Sequence, residues 1–223
     1  MAKSKRGGAA LLLLLGGGAL AAVAMSNPAS ASEGKPKKKQ PRRADVKVLA
    51  RRFSKEFGVP ESLILAIIAI ESSFVPDSVN MAAKHLGGAW GLGQITVTHA
   101  SDLTKRYPKV AAKYWPAWDG TGEGLLDLET NVAMTAFTLW VNWERYKKYP
   151  DRWLTAGLAH HQGKGNVDKF IKTHKRKDGK VGVNPDQLPP KGKLYWSRLI
   201  QKAENDQDVL VALARDQKTF AFT

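Results

Sequence analysis

The 223-residue chain is 43% hydrophobic and 25% charged, which supplies one real core and sets it apart from a disordered, charge-dominated polymer. It has no cysteine, so a disulfide framework and a thiolate metal site are both excluded; that absence does not argue against export. A formal net charge of +15 and a pI near 10.0 favour an anionic partner: cell-wall glycan with its lactyl and peptide carboxylates, anionic lipid, or nucleic acid.

The charge is unevenly spread. Lys3, Lys5 and Arg6 precede an apolar run over 9–25, followed by Ala29-Ser30-Ala31, a small-x-small pattern. Residues 1–31 are therefore expected to be an export signal peptide or a retained N-terminal membrane anchor, directing the chain to the periplasm or cell wall, or to a virion if the chain is of phage origin. Residues 32–43, SEGKPKKKQPRR, carry six basic residues and one acid and have no apolar anchor. They read as a basic disordered linker that would touch an anionic membrane or wall polymer. The third segment, 44–223, is expected to be one helical domain, acting as a monomer.

Within that body the periodicity is helical. Val46, Leu49, Ala50, Phe53 and Phe57 form a stripe that Gly58 ends. The next helix opens at Pro60 in its first turn and is apolar all round, so it is central and buried. Further helices are expected over 97–107, 129–149, 152–161 and 167–173, with a last one over 194–218, broken near Asn205. Glycine-bearing turns lie between them, and no period-2 strand is evident. The fold class is all-α, a compact helical domain with a loop-lined cleft. Lys191, Lys193 and Arg198 are expected on the solvated face of the last helix.

One carboxylate stands out. From Leu63 to Ile70 every residue is Leu, Ile or Ala, and then comes Glu71. Ile67, Ile68 and Phe74 lie one turn away. Desolvation and the negative helix end should both raise its pKa, making it a general acid for a glycosidic oxygen. Position alone also allows, and slightly favours, Glu71 as the point where the helix leaves the core and turns to water.

The rest of the pattern is an ordered set: Glu71-Ser72-Ser73-Phe74, then Gly88-Ala89-Trp90-Gly91-Leu92-Gly93-Gln94, then LLDLETNV over 125–132, then TAGLAHHQGKGNV over 155–167. Over about residues 45–170 this order resembles the soluble-type lytic transglycosylases, relatives of goose-type lysozyme. The resemblance implies a lysozyme-like fold and cleavage of the MurNAc-β-1,4-GlcNAc bond of peptidoglycan, without water, to leave 1,6-anhydro-MurNAc ends. In that reading Glu71 matches the catalytic acid and base. Ser72, Gly91, Leu92, Gln94, His160 and His161 match substrate-binding positions, and Asn131 matches a structural helix-start asparagine. The resemblance implies no cofactor, no metal and no second carboxylate.

Three departures from the family pattern stand in the chain. Gly93 replaces the usual Met, which would remove one apolar wall of the cleft. The loop between Phe74 and Gly88 is longer than the common spacing. Ala159-His160-His161-Gln162-Gly163 stands where the family has Ala-Tyr-Asn-Ala-Gly; its tyrosine orients the glutamate, and His160 is expected to take over that hydrogen bond. A protonated His160 would depress the pKa of Glu71. The adjacent histidines do not share a helix face, which argues against a metal site.

A hydrolytic mechanism would need a second carboxylate, and Asp119, Glu123, Asp127 and Glu129 are the candidates, Glu123 first. Trp90, Tyr114, Trp115 and Trp118 are expected near the cleft, where aromatic faces stack on sugars, whereas Trp140, Trp143 and Trp153 read as packing. The alternatives to a lytic transglycosylase are a lysozyme-type hydrolase of the same bond and a non-catalytic glycan-binding module. A nucleic-acid binder is not expected, because the basic residues concentrate in the linker rather than along one helix.

Overall fold

The computed structural model describes residues 42–149, 151–174 and 182–205. The expected signal or anchor, most of the linker and the chain beyond residue 205 lie outside the described residues. The described part is helical, with one small sheet, in agreement with the all-α expectation.

Helix α1, Arg43–Phe57, buries Val46, Ala50 and Phe53, one face at helical spacing. It stops at Gly58, whose φ of 67° is the left-handed conformation that glycine adopts at least cost. Helix α2, Glu61–Glu71, is buried from Glu61 to Ala69 without interruption. Such a helix has no solvent face to give up, and α1 together with the later helices Leu128–Tyr146, Arg152–Gln162 and Pro190–Asn205 all pack against it. Pro60 sits at its N-cap, one position before the first turn. Truncating Ile67, fully buried here, would cost about 2–5 kcal/mol.

After α2 the chain forms a sheet that sequence periodicity does not reveal. Strands β1 (Val79–Asn80), β2 (Ala89–Trp90) and β3 (Ile95–Thr96) pair antiparallel in that order, with Val79 opposite Trp90 and Trp90 opposite Ile95. Two-residue strands are too short to display an alternation. A 3₁₀ turn, Met81–Leu86, links β1 to β2. It lies within the loop between Phe74 and Gly88.

Helix α3, Val97–Arg106, is capped by the Thr96 hydroxyl, which accepts from the His99 amide at 3.2 Å. Helix α4, Pro108–Tyr114, was not expected from the sequence; Pro108 occupies its first turn. Helix α5, Leu128–Tyr146, is capped by Asp127, which accepts from the Thr130 amide at 2.8 Å. Helices α6 (Arg152–Gln162), α7 (Lys164–Thr173) and α8 (Pro190–Asn205) complete the described chain. Gly157 lets α6 approach closely: a Cβ there would stand 3.0 Å from Leu199 and 3.5 Å from Ile67. Among the described residues no helix is long and apolar enough to cross a membrane.

Two aromatic expectations are corrected. Trp115 is 2% exposed and donates its indole N–H to Thr104 at 3.1 Å. Tyr114 packs edge-on against Phe53 and Phe57 and donates to Glu56 at 2.6 Å. Both belong to the core that Phe137 joins, because α4 carries them onto α1 and α5, so neither offers a face to a sugar.

Candidate active site

Glu71 is the last residue of α2, and the helix unwinds immediately after it. Ser72 turns its hydroxyl back to the Ile68 carbonyl at 3.1 Å, and Ser73 and Phe74 take positive φ values of 52° and 64°. For non-glycine residues this backbone is costly, and strain of this kind collects at functional sites. The Glu71 side chain, 15% exposed, opens onto a cleft of about 620 Å³.

Two groups touch the carboxylate. The Tyr195 hydroxyl, from α8, donates to Glu71 Oε1 at 2.8 Å. His161 Nδ1, from the end of α6, lies 3.5 Å from the same oxygen, long for a hydrogen bond but close enough for an ion pair. The His161 ring stacks on Tyr195 with centroids 4.0 Å apart and planes 10° from parallel. Tyr195 is 3% exposed, and burial together with the Glu71 charge pushes its pKa well up, so it remains a donor.

Burial pushes the Glu71 carboxyl up and is the largest single influence on it. The His161 imidazole, the charge of His160, the Tyr195 hydroxyl and the charge of His161 outweigh it, leaving the carboxyl below its ordinary value. This corrects the expectation of a raised pKa: burial acts as expected, but polar partners from α6 and α8 oppose it.

His160 does not hydrogen-bond Glu71. Its Nε2 lies 2.8 Å from the Gly93 carbonyl, so that nitrogen carries the proton and braces the 91–94 loop, while Nδ1 is buried without a partner. Burial pushes His160 down, so its charge reaches Glu71 only in acid. The orienting hydrogen bond expected from His160 comes instead from the Tyr195 hydroxyl.

The 91–94 loop is held by Asn131, 1% exposed. Its Oδ1 accepts from the Gly93 amide at 2.8 Å, and its Nδ2 donates to the carbonyls of Trp90 at 2.9 Å and Leu125 at 2.8 Å. Gly91, at a φ of 73°, leaves no room for a Cβ beside the Asn131 amide. Gln94, at a φ of 51°, donates to the carbonyls of Gly91 at 2.9 Å and Ser78 at 3.2 Å. At Gly93 the Thr135 side chain fills the space a Cβ would need. The glycine thus matches a filled neighbour; Thr135 is fully buried and does not line the cleft, so it is no substitute for the methionine's wall there.

Of the sequence-derived residues, Glu71, Gln94, His160 and His161 line the cleft. Ser72, Gly91 and Leu92 do not; Leu92 is 1% exposed in the core, and the other two act through backbone and helix-end geometry. None of the four candidate second carboxylates lines it either. Asp119 binds Thr121 at 2.6 Å, Asp127 caps α5, Glu129 pairs with Arg52 at 2.6 Å, and Glu123 begins a 3₁₀ turn at Glu123–Leu126. Trp90 and Trp118 also lie outside the lining. Sequence reasoning missed Tyr195 and His99. The stripe Gly192, Tyr195, Trp196 and Leu199 marks the buried face of α8, but no sequence signal ties its tyrosine to Glu71.

The model of the transglycosylase SLT domain matches residues 49–182. No curated protein matches the chain. The match opens within α1, takes in Glu71, Gln94 and the histidine pair, and stops short of α8, so Tyr195 lies outside it. With more than half its length matched, the chain belongs to the SLT transglycosylase domain family, the lysozyme-like lytic transglycosylases.

Proposed function

We propose that the chain is an exported enzyme that cleaves the MurNAc-β-1,4-GlcNAc bond of peptidoglycan without water and leaves 1,6-anhydro-MurNAc ends. The carrying observation is that, among the described residues, Glu71 and Asp102 are the carboxylates lining the cleft, and Asp102, on α3, pairs with Arg106 at 3.4 Å, which leaves Glu71 as the acid. One carboxylate suits a mechanism in which the same group acts as acid and then as base.

In this reading Glu71 enters protonated and gives its proton to the glycosidic oxygen. The MurNAc N-acetyl oxygen attacks C1 as the GlcNAc hydroxyl departs. The Glu71 carboxylate then takes the proton of the C6 hydroxyl, O6 closes on C1, and the N-acetyl group is restored. Atoms balance, and no water is consumed. Filling the cleft with glycan removes the remaining water around Glu71 and strengthens the influence that raises its pKa. A tyrosine hydroxyl both donates and accepts, so Tyr195 serves the carboxylate and the carboxylic acid alike.

Residues 1–31 as signal or anchor, 32–43 as basic linker and 44–223 as the catalytic domain complete the proposal, with the linker holding the enzyme near anionic lipid or wall polymer. The test is a digest of purified peptidoglycan by the wild type and by Glu71→Gln, with mass spectrometry of the released muropeptides. Anhydro-ended products from the wild type alone support the proposal. Reducing-end products would make the chain a lysozyme, and no release at any pH would make it a glycan-binding module.

A further inference from the structure

Glu71 is aimed by the turn that follows it as much as by the helix before it. The turn is tightly closed. The Ser72 amide and hydroxyl both donate to the Ile68 carbonyl at 3.1 Å, and the Val75 amide donates to the Ser72 carbonyl at 2.9 Å. Between these bonds Ser73 and Phe74 hold their left-handed backbone, at φ values of 52° and 64°. Neither is glycine, so the conformation needs a hold from outside the turn. Phe74 offers the place for one. Its ring is half-buried and packs against the core. The Arg43 guanidinium stands 4.0 Å from the ring centroid, within cation–π range.

Arg43 acts from a fixed base. It closes the basic stretch 32–43 and is the first residue of α1. The start of that helix is tied down: the Arg42 amide donates to Asp45 Oδ2 at 2.9 Å, the Asp45 amide donates back to the Arg42 carbonyl at 2.8 Å, and Val46 is fully buried. Like Tyr195, Arg43 lies outside the stretch that the family model matches. Neither Arg43 nor Phe74 lines the cleft, so neither touches the glycan there. Arg43 is also not among the groups that chiefly set the Glu71 pKa. Its route to Glu71 is therefore the position of the Phe74 ring. Phe74 is three residues beyond Glu71, and a displaced ring would turn the end of α2. That would draw the carboxylate away from the Tyr195 hydroxyl at 2.8 Å and from His161 Nδ1 at 3.5 Å.

We propose that Arg43 is a positioning residue: held over the Phe74 ring, it fixes the turn that aims the Glu71 carboxylate at Tyr195, His161 and the bond to be cleaved. The proposal rests on the reading of Glu71 as the acid and base of a transglycosylase. The ring needs a cation over it, so lysine should replace arginine in part, and a neutral side chain of similar length should not.

The test uses the full-length chain. Rates on soluble peptidoglycan strands are measured for the wild type, Arg43→Met, Arg43→Lys, Phe74→Leu and the double variant Arg43→Met with Phe74→Leu. The Glu71 carboxyl is titrated by carbon-13 NMR in the wild type and the single variants. In Arg43→Met, kcat is expected to fall about 2- to 5-fold, the size of an exposed cation–π contact, with KM unchanged. Arg43→Lys should lie between Arg43→Met and the wild type. On top of Phe74→Leu, Arg43→Met should cost nothing further, because the two act as one unit. The Glu71 pKa should rise in Arg43→Met as its bonds to Tyr195 and His161 loosen, and rise also in Phe74→Leu, which keeps the charge. An unchanged kcat in Arg43→Met, a lysine variant as slow as the methionine one, or losses at the two positions that multiply would each overturn the positioning role. So would a pKa that Arg43→Met leaves in place, or one that rises there and not in Phe74→Leu. If the wild type cleaves no strands, the transglycosylase reading fails, and the titration alone decides whether Arg43 sets the turn.

Discussion

The hydroxyl of Tyr195 and the carboxylate of Glu71, 124 residues apart in the chain, meet at 2.8 Å where α8 crosses the end of α2. The last described helix is thereby part of the site. Tyr195→Phe keeps the ring, and hence the stack on His161, and removes only the hydroxyl. A hydrogen bond to a charged group contributes about 1.5–3 kcal/mol, so kcat should fall by roughly 10- to 100-fold while KM changes little. The thermal midpoint should stay within a few degrees of the wild type. A variant as active as the wild type would remove Tyr195 from the site.

His161 lies against the same oxygen and pulls the Glu71 pKa down. If Glu71 must carry a proton to start the reaction, activity falls as pH rises through its pKa. His161→Asn removes that pull, so the alkaline limb of the kcat/KM profile should move to higher pH. A purely structural loss would lower the profile at every pH without moving its limb, and that difference is the readout.

The central architecture is legible because it rests on local pattern. The unbroken apolar run of α2 gave its burial, and Gly58 gave the end of α1. The carboxylate closing the run is likewise visible as a chemical anomaly. What surrounds it is not, because Tyr195 and His161 reach Glu71 by tertiary packing and one-dimensional spacing carries no such distance. The pKa direction differs from the expectation for the same reason: desolvation can be read from the sequence, and hydrogen-bond partners cannot. Trp115 and Tyr114 lie in the core rather than near the cleft because α4, seven residues long and opening at Pro108, is too short to show a period.

His99 carries a pH effect on stability. Burial lowers its folded pKa from 6.5 to about 4. Between those values the unfolded chain binds a proton that the folded chain refuses, so stability falls as pH drops from about 6.5 toward 4. A shift of this size corresponds to an effect on the order of 3 kcal/mol. Glu71 acts further down: its lowered folded pKa contributes stability above the ordinary value of 4.5 that is lost as pH falls through the folded value. Urea midpoints taken from pH 7 to 4 should decline in the wild type and decline less steeply in His99→Gln, the remaining slope including that of His160, whose pKa burial also lowers. An equal slope in both proteins would assign the decline to other groups.

Gly93 offers a test of how the loop beside the site is packed. Thr135 occupies the space that a side chain at position 93 would need, and its own hydroxyl donates to the Asn131 carbonyl at 2.7 Å. Gly93→Met should therefore destabilise by about 1–3 kcal/mol through overpacking. It should also disturb the Gly93 amide bond to Asn131 and the Gly93 carbonyl bond to His160. Thr135→Ala alone removes a buried hydroxyl that bonds only its own helix and should cost about 1 kcal/mol. In the double variant the smaller alanine makes room for the new side chain, so the two losses should combine to less than their sum. Residues in contact show coupling of about 0.5–3 kcal/mol in such a cycle. Urea unfolding of the four proteins measures it. Simple additivity would mean that Thr135 does not set the glycine at position 93, and that the loop accommodates methionine by moving away from α5.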